Sequence, residues 1–462
     1  MNLDPPKQLT VLSLNCWGLY VVSKKRKFRL EAIADKISQE DYDLVALQEV
    51  WMPSDVELIQ QKTQSTLPFA KHFYSGALGS GLVILSRFPI LSSSYLQFSL
   101  AGRPFKIFQG DFYVGKGLGS VCIDHPDIGL VDVYTTHLQA SYGQKDDYEA
   151  QRITECWQIA QAVRNSAAQG RHVILAGDFN SIPTSHCYCL LKEHGFMTDS
   201  WLEMHQDIED SQARFEQDQL SISECIQHFG ITCDSPVNTW TKHLLKQEPR
   251  AKDIGDRLDY IFYRRSPQLV CLQSSVVLHE YIPNTDISFS DHFGVRSVFK
   301  ISTEATSALN SHYAPTATQL ARPTNTELTS QHLRSMLMLI QAELSKAVST
   351  RYACLFGSSV LLLMTFLCWT GQIVLTFQHP VYHALLGLYM IFSAAGIVVF
   401  FIVGFVFGKT EERLLLEYKE DMTIYLNQLT PHLDPQPSSS SVSLLSPTSS
   451  ISSSDGLVIK PY

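Results

Sequence analysis

The chain has 462 residues, 45% of them hydrophobic, and carries 36 Lys and Arg against 45 Asp and Glu, a net charge of −9. Such a length exceeds one ordinary domain and allows a large core, while the acidic balance argues against general nucleic-acid affinity, which needs clustered cations to displace condensed counterions. Composition shifts near residue 300: residues 301–462 hold a net −2, leaving −7 on residues 1–300, so a globular part followed by appendages is expected.

In chain order, Met1 to Gln8 is polar with two prolines and lacks the apolar core of a signal peptide, which predicts a cytosolic location for residues 1–300. Leu9 to Leu14 reads as a strand ending at Asn15. The basic run Lys24-Lys25-Arg26-Lys27 opens a helix marked by Phe28, Ile33 and Ile37 and reads as a solvated helix end, with contact to an anionic surface as the alternative. Leu44 to Leu47 is a buried-strand pattern leading to Gln48-Glu49, and Gly81 to Ser86 is a further strand. Leu130 to Thr136 alternates and delivers His137. Ile153, Trp157, Ala160 and Val163 mark a helix face before Val173 to Ala176 and the turn Gly177-Asp178-Phe179-Asn180. Glu203 to Ser235 is polar and irregular and receives no element. Leu258 to Phe262 is a strand starting beside Asp259, and Ser290-Asp291-His292 closes the part. Strands without intervening helices argue against a purely parallel sheet and for a mixed two-sheet α/β sandwich. Ten cysteines without paired spacing read as reduced thiols.

Residues 301–330, rich in Thr, Ser, Ala and Pro, read as a linker, and 331–351 as an amphipathic juxtamembrane helix. The next 57 residues, Tyr352 to Gly408, contain no Asp, Glu, Lys or Arg. About 20 residues suffice for one crossing, so two transmembrane helices are expected, 352–377 and 382–408, with a turn around Gln378 to Val381. Lys346 and Arg351 precede the pair and Lys409 and Arg413 follow it, which by the positive-inside rule puts both ends in the cytosol. A buried hairpin of a soluble protein is the competing reading. Residues 409–462 form a cytosolic tail, Ser-rich and disordered after 431.

The polar residues at strand ends match the needs of phosphodiester hydrolysis: charge relief on phosphoryl oxygens, an activated water and help for the leaving alkoxide. A hard ion such as Mg²⁺ takes oxygen ligands, for which Glu49 and the amide oxygen of Asn15 are candidates, and no His- or Cys-rich cluster favours zinc. His292 is the candidate base, with Asp259 or Asp291 as its carboxylate partner. Asp178 is expected to position water, and Asn180 and His137 to donate to phosphoryl oxygens. Taken singly, each has an ordinary structural explanation; the ordered set is what points to catalysis.

The segments Leu14-Asn15-Cys16-Trp17-Gly18, Leu47-Gln48-Glu49-Val50, Gly81 to Pro89, Thr136-His137-Leu138, Gly177-Asp178-Phe179-Asn180, Arg257-Leu258-Asp259-Tyr260 and Ser290-Asp291-His292 resemble the endonuclease, exonuclease and phosphatase superfamily. The resemblance implies the DNase I-like fold, a four-layer α/β sandwich with two mixed sheets, here on residues 1–300, followed by a C-terminal two-helix transmembrane hairpin. Asn15-Cys16-Trp17-Gly18 and that hairpin resemble the neutral sphingomyelinases. This implies Mg²⁺-dependent cleavage of sphingomyelin to ceramide and phosphocholine, with Glu49 on the metal, Asn15 near it, Asp178 and Asn180 ordering water and phosphate, His137 on a phosphoryl oxygen and His292 as base. Gly115-Lys116-Gly117 resembles a lysine-bearing loop of those enzymes, making Lys116 a substrate-binding candidate. The implied partners are a membrane lipid and the bilayer, with no nucleic acid, and the implied location is the endoplasmic reticulum. Tyr113 or Tyr142 could hold a choline by cation–π attraction. The alternatives are a phospholipase C acting on lyso-choline phospholipids, a membrane-anchored phosphoinositide phosphatase, a nuclease, and a scaffold without catalysis.

Overall fold

Along β1 (Gln8–Asn15), Leu9 and Val11 face one way and Leu12 and Leu14 the other, and all four are fully buried. A period of two with no exposed face belongs to a strand covered on both sides. The computed structural model describes residues 7–20, 22–142, 146–217, 219–241, 254–302, 326–374 and 380–429. In its first sheet β1 runs parallel to β2 (Leu44–Gln48) and antiparallel to β12 (Gly294–Ile301). With β3 (Phe69–His72), β4 (Val83–Ser86) and β11 (Leu269–Val277) the order is β11-β12-β1-β2-β4-β3. The second sheet contains β5 (Ile90–Gln97), β6 (Gly117–His125), β7 (Gly129–His137), β8 (His172–Asp178), β9 (Thr198–Asp199) and β10 (Asp259–Tyr263). Its order is β5-β6-β7-β8-β10-β9, with only β7 and β8 parallel.

Val11, Ala46, Ile84, Val133, Ile174, Ile261 and Phe299 fill the space between the sheets. On the outer face of the first sheet, α1 (Arg26–Gln39) and α2 (Pro53–Thr63) bury Leu30, Ile33, Ile37 and Ile59 against Val45, Leu47 and Val83. Pro53 at the start of α2 and Asp55 in its first turn suit a helix N-terminus. Of the basic run, Lys24, Lys25 and Lys27 are exposed, while Arg26 is buried against Asp55. On the outer face of the second sheet, α3 (Glu149–Ala168) packs Ile153, Trp157, Ala160 and Val163 on Tyr134, Val173, Leu175 and Phe262. These are the four layers expected. The ten cysteines form no disulfide.

Two expectations need correction. Glu203 to Ser235 is largely helical, with Ile208–Glu216 and α4 (Ile222–Phe229), the latter closed by a capping box between Ser221 and Glu224. The C-terminal helices are also not appendages. The juxtamembrane segment and first apolar span form one helix, α5 (Thr326–Val374), and α6 (Pro380–Phe401) continues through a π-turn, Ile402–Phe407, into α7 (Gly408–Leu429). Leu333, Met336, Ile340 and Leu344 of α5 and Leu415, Tyr418, Met422 and Tyr425 of α7 join the cluster containing Trp157 and Val163. They make a fifth layer over α3, fastened at its border by Arg103 to Glu343 (2.6 Å) and Lys346 to Asp147 (3.1 Å). Residues 303–325 of the expected linker, 378 and 379 of the expected turn, and the Ser-rich tail lie outside the described residues.

Both C-terminal helical stretches are long and apolar enough to cross a membrane, and 11% of each apolar window is buried inside the protein. A hairpin at the core of a soluble protein would bury such surface, so that competing reading loses its support.

His194 ties the fifth layer down. Its ring stacks on Trp157 at 4.3 Å and meets Tyr425 edge-on at 4.5 Å. Burial, and then the neighbouring Arg164 charge, push the imidazole down to about 3. In the unfolded chain a histidine titrates near 6.5, so at pH 7 neither state carries the proton, and below about 6.5 only the unfolded state takes it up. Stability is therefore expected to fall as the pH drops from about 6.5 toward 3. Thermal unfolding of His194→Phe across that window should show a shallower acid decline than the native chain.

Candidate active site

Pairing places the candidate residues at one rim. Asn15 is in register with Gln48 across β1 and β2, which brings Glu49 next to it, and His137 and Asp259 both pair with Asp178. The two sheets meet there through the Asn15 amide, whose Nδ2 donates to Asp178 Oδ2 at 2.9 Å and to Glu49 Oε1 at 3.1 Å. Its Oδ1 accepts from the Trp17 backbone N–H at 3.0 Å. This network fixes the amide orientation and turns the nitrogen, not the expected ligand oxygen, toward the carboxylates.

Trp17, Glu49 and Asn180 have φ of 46°, 58° and 45°, a left-handed conformation that costs a non-glycine residue about 1 kcal/mol or more. Local contacts hold it: Asp178 Oδ1 accepts from the Asn180 N–H at 2.9 Å, and Arg29 donates to the carbonyls of Cys16, Trp17 and Phe289 at 3.0, 2.6 and 3.0 Å. Gly18 is required by a close crossing, because a Cβ there would lie 2.2 Å from the Glu49 carbonyl oxygen.

His292 is held by Asp259, with Nδ1 and Oδ2 2.8 Å apart. Asp259 rather than Asp291 is thus the carboxylate partner; Asp291 accepts from Ser290 Oγ at 3.3 Å. His292 Nε2 points to Asp178 Oδ2 at 3.8 Å and lies 3.5 Å from Cys233 Sγ. His137 Nε2 approaches the same Asp178 oxygen at 3.7 Å, and its Nδ1 is buried without a hydrogen-bond partner. Asn180 Nδ2 donates to the Leu138 carbonyl at 3.0 Å, which also accepts from Lys116 Nζ at 2.6 Å. Lys116 is buried and lies 3.2 Å from Asp111. The hydroxyls of Tyr113 and Tyr142 donate to Pro104 O (2.8 Å) and to Asp111 (2.6 Å), which makes both part of the neighbouring loop.

Burial pushes the Glu49 carboxyl up to about 7, aided by the Asp291 charge. Burial likewise raises Asp259 to about 6, against the pull of His292. Asp178 lies below the ordinary carboxylate range: burial works upward, but His292, His137 and the Asn15 and Asn180 hydrogen bonds outweigh it. For His292 burial works downward and is overcome by Cys233, Asp259 and Asp178, leaving it well above the usual imidazole range. His137 is lowered to about 3 by burial and by Lys116 and is neutral. Asp178, Asp259 and His292 each offer a ligand atom within 4.8 Å of the others, and Asp259 Oδ1 is buried without a partner. An oxygen-rich anionic cluster with an unsatisfied carboxylate oxygen fits a hard divalent cation.

Several contributors carried no signal in the linear pattern. Thr232 Oγ1 accepts from the N–H groups of Leu258 and Asp259, at 3.0 and 3.1 Å, and so sets the start of β10. Asn238 Nδ2 holds the Ser290 carbonyl at 2.9 Å, and Trp240 packs on Trp17 with ring centroids 5.3 Å apart.

The model of the Endonuclease/Exonuclease/phosphatase family matches residues 12–292, which begin in β1 and end at His292. The inositol phosphosphingolipids phospholipase C of Schizosaccharomyces pombe is 38% identical over 307 residues, covering 65% of this chain and 70% of that protein. The protein of the same name from Saccharomyces cerevisiae is 31% identical over 446 residues, covering 89% and 88%, so its match extends into the C-terminal helices. Human sphingomyelin phosphodiesterase 2 is 33% identical over 287 residues, covering 62% and 63%. The chain therefore belongs to the Endonuclease/Exonuclease/phosphatase family and is an enzyme of its sphingomyelinase and phospholipase C type phosphodiesterases.

Proposed function

We propose that this chain hydrolyses a membrane sphingophospholipid at the bond between phosphorus and the ceramide oxygen, releasing ceramide and a phosphorylated head group. The observation that carries the reading is the buried His292–Asp259 pair, 2.8 Å apart, with Nε2 turned toward Asp178 Oδ2 at 3.8 Å. Asp259 holds Nδ1 as the donor, and Nε2, once it has lost its own proton, takes one from water as it attacks phosphorus. Asp178 orients that water. His137, whose Nε2 faces Asp178 at 3.7 Å, and the second Asn180 amide hydrogen would donate to phosphoryl oxygens. Asp178, and Glu49 beyond the Asn15 amide nitrogen from which both carboxylates accept, would hold Mg²⁺. When bound, the ion supplies positive charge for the phosphoryl oxygens. Glu49→Gln is expected to raise the Mg²⁺ concentration needed for half-maximal turnover by about tenfold or more, measured by metal titration.

The sequence favours sphingomyelin as substrate. A second reading, an inositol phosphosphingolipid, is favoured by the names of two relatives, one 38% identical and one matching 89% of this chain. Vesicles of sphingomyelin and of inositol phosphoceramide, assayed in parallel for phosphocholine and phosphoinositol, separate the two. Release of neither, with Mg²⁺ present, would reject the proposed chemistry.

We further infer that the two apolar stretches span a membrane with the catalytic layers on the cytosolic side, the endoplasmic reticulum being the membrane implied by family resemblance. Lys346, Arg351, Lys409 and Arg413 flank the spans on the side where the catalytic layers dock, in keeping with the positive-inside rule.

A further inference from the structure

Between β5 and β6 the chain leaves the sandwich as a loop whose tip, Phe105-Lys106-Ile107-Phe108, is exposed at four successive positions. Phe105, Ile107 and Phe108 are 47%, 63% and 106% exposed, the last with no cover at all. Exposed apolar residues scattered singly are ordinary, but three together on one tip present a patch that water disfavours. The base of the loop is held. Gly102 exchanges hydrogen bonds with the Gln151 side chain at 2.9 and 3.3 Å, Arg103 donates to Glu343 at 2.6 Å and to the Asp147 carbonyl at 3.1 Å, and Tyr113 donates to the Pro104 carbonyl at 2.8 Å.

The position of the tip identifies what covers it. Phe105 meets Phe400 with ring centroids 5.8 Å apart, and Phe112 meets Phe407 at 5.2 Å. Phe400 lies nine residues before Lys409, the first charge after the apolar stretch, which is about 13 Å along a helix axis. A loop touching the helix at that level sits inside the apolar slab, where the outward faces of both spans, such as Phe356, Leu363, Val398 and Phe401, are also exposed.

We propose that the tip Phe105–Phe108 is a membrane wedge: Phe105, Ile107 and Phe108 enter the acyl region of the leaflet beside the second span, and Lys106 reaches back to lipid phosphates. The alternation of apolar side chains with one long cation suits this boundary, because the lysine stem lies along apolar surface while its ammonium stays at the headgroups. Its consequence is orientation. The same loop runs through Asp111 to Lys116, which contacts the Leu138 carbonyl shared with Asn180, so a seated wedge fixes the rim of the site against the lipid surface. This inference rests on the membrane reading of the two spans but not on the identity of the substrate.

The test uses the full chain in lipid nanodiscs, with Phe108→Cys carrying an environment-sensitive fluorophore and with lipids spin-labelled near the top of the acyl chain. Native protein treated with the same reagent supplies the background from its own cysteines. Strong quenching with a blue-shifted emission is expected. A label that stays unquenched on a chain resisting alkaline extraction, or that cross-links to a second copy instead, overturns the wedge. Extraction of the native chain by alkali would overturn the span reading beneath it. In a second arm, the double variant Ile107→Ser, Phe108→Ser should lose about tenfold of its turnover on vesicles and keep native turnover on a short-chain, detergent-dispersed substrate. Equal turnover of variant and native protein on vesicles would also overturn the proposal. If the native chain cleaves no sphingolipid yet the label is quenched, the wedge stands and the substrate reading falls.

Discussion

His292→Ala is expected to lower kcat on vesicle substrate by about a thousandfold while leaving KM little changed, the size expected for losing a positioned general base. The side chain is buried, turns Nε2 toward Asp178 at 3.8 Å and is oriented by Asp259 at 2.8 Å. Asp259→Asn supplies a sharper version of the same result. Charge on Asp259 is one of the influences raising the His292 imidazole, and a base accepts a proton only when neutral. Removing that charge lowers the pKa, so the acidic limb of the rate profile should move to lower pH even as the maximum rate falls. A variant that lost rate with an unmoved limb would mean that Asp259 only packs beside His292.

Ile340→Asp is expected to be the most damaging single change outside the site. Ile340 is fully buried between α5 and the layer formed by α3 and α7, and a carboxylate there has no partner among the apolar residues around it. The cost is about 4 kcal/mol, enough to remove much of the stability of an ordinary domain. Met338, two positions away on the same helix, is 68% exposed, and Met338→Asp should leave the protein essentially unchanged. Thermal unfolding of the two variants in detergent, followed together with turnover of a detergent-dispersed substrate, distinguishes a structural fifth layer from a tethered anchor. If Ile340→Asp unfolded like the native chain, the C-terminal helices would be a tether after all.

That layer also shows where reading the sequence stopped. Apolar runs were legible: Leu9 to Leu14 and Val173 to Ala176 are largely apolar because both faces of their strands are covered, and Asn15 and Asp178 end those strands at the rim of the site. The charge-free stretch of 57 residues was legible by length alone. The docking of α5 and α7 on α3 was not, because a helix that continues into an apolar span shows no break where the protein-facing stripe becomes a lipid-facing surface. The same holds for the choice between Asp259 and Asp291. Both flank His292 in plausible positions, and only the pairing of β10 with β8 brings Asp259 to the Nδ1 side. Thr232 and Asn238 act through single hydrogen bonds to turns, which leave no periodic trace, whereas Ser221 and Glu224 carried a capping-box signal that could have located α4. The Asn15 amide is turned by a local bond from the Trp17 N–H to its Oδ1, but the carboxylates its nitrogen meets, Glu49 and Asp178, arrive only through the pairing and packing of the two sheets.

Water activated by His292 is expected to attack phosphorus and expel ceramide. The most direct measurement is hydrolysis of sphingophospholipid vesicles in heavy-oxygen water by the full chain, with Mg²⁺ and with chelator, followed by mass spectrometry of both products. Heavy oxygen in the released head-group phosphate, with unlabelled ceramide and no release by the chelated enzyme or His292→Ala, is the predicted result. Label in ceramide, ceramide phosphate as the product, or undiminished release without His292 would contradict it.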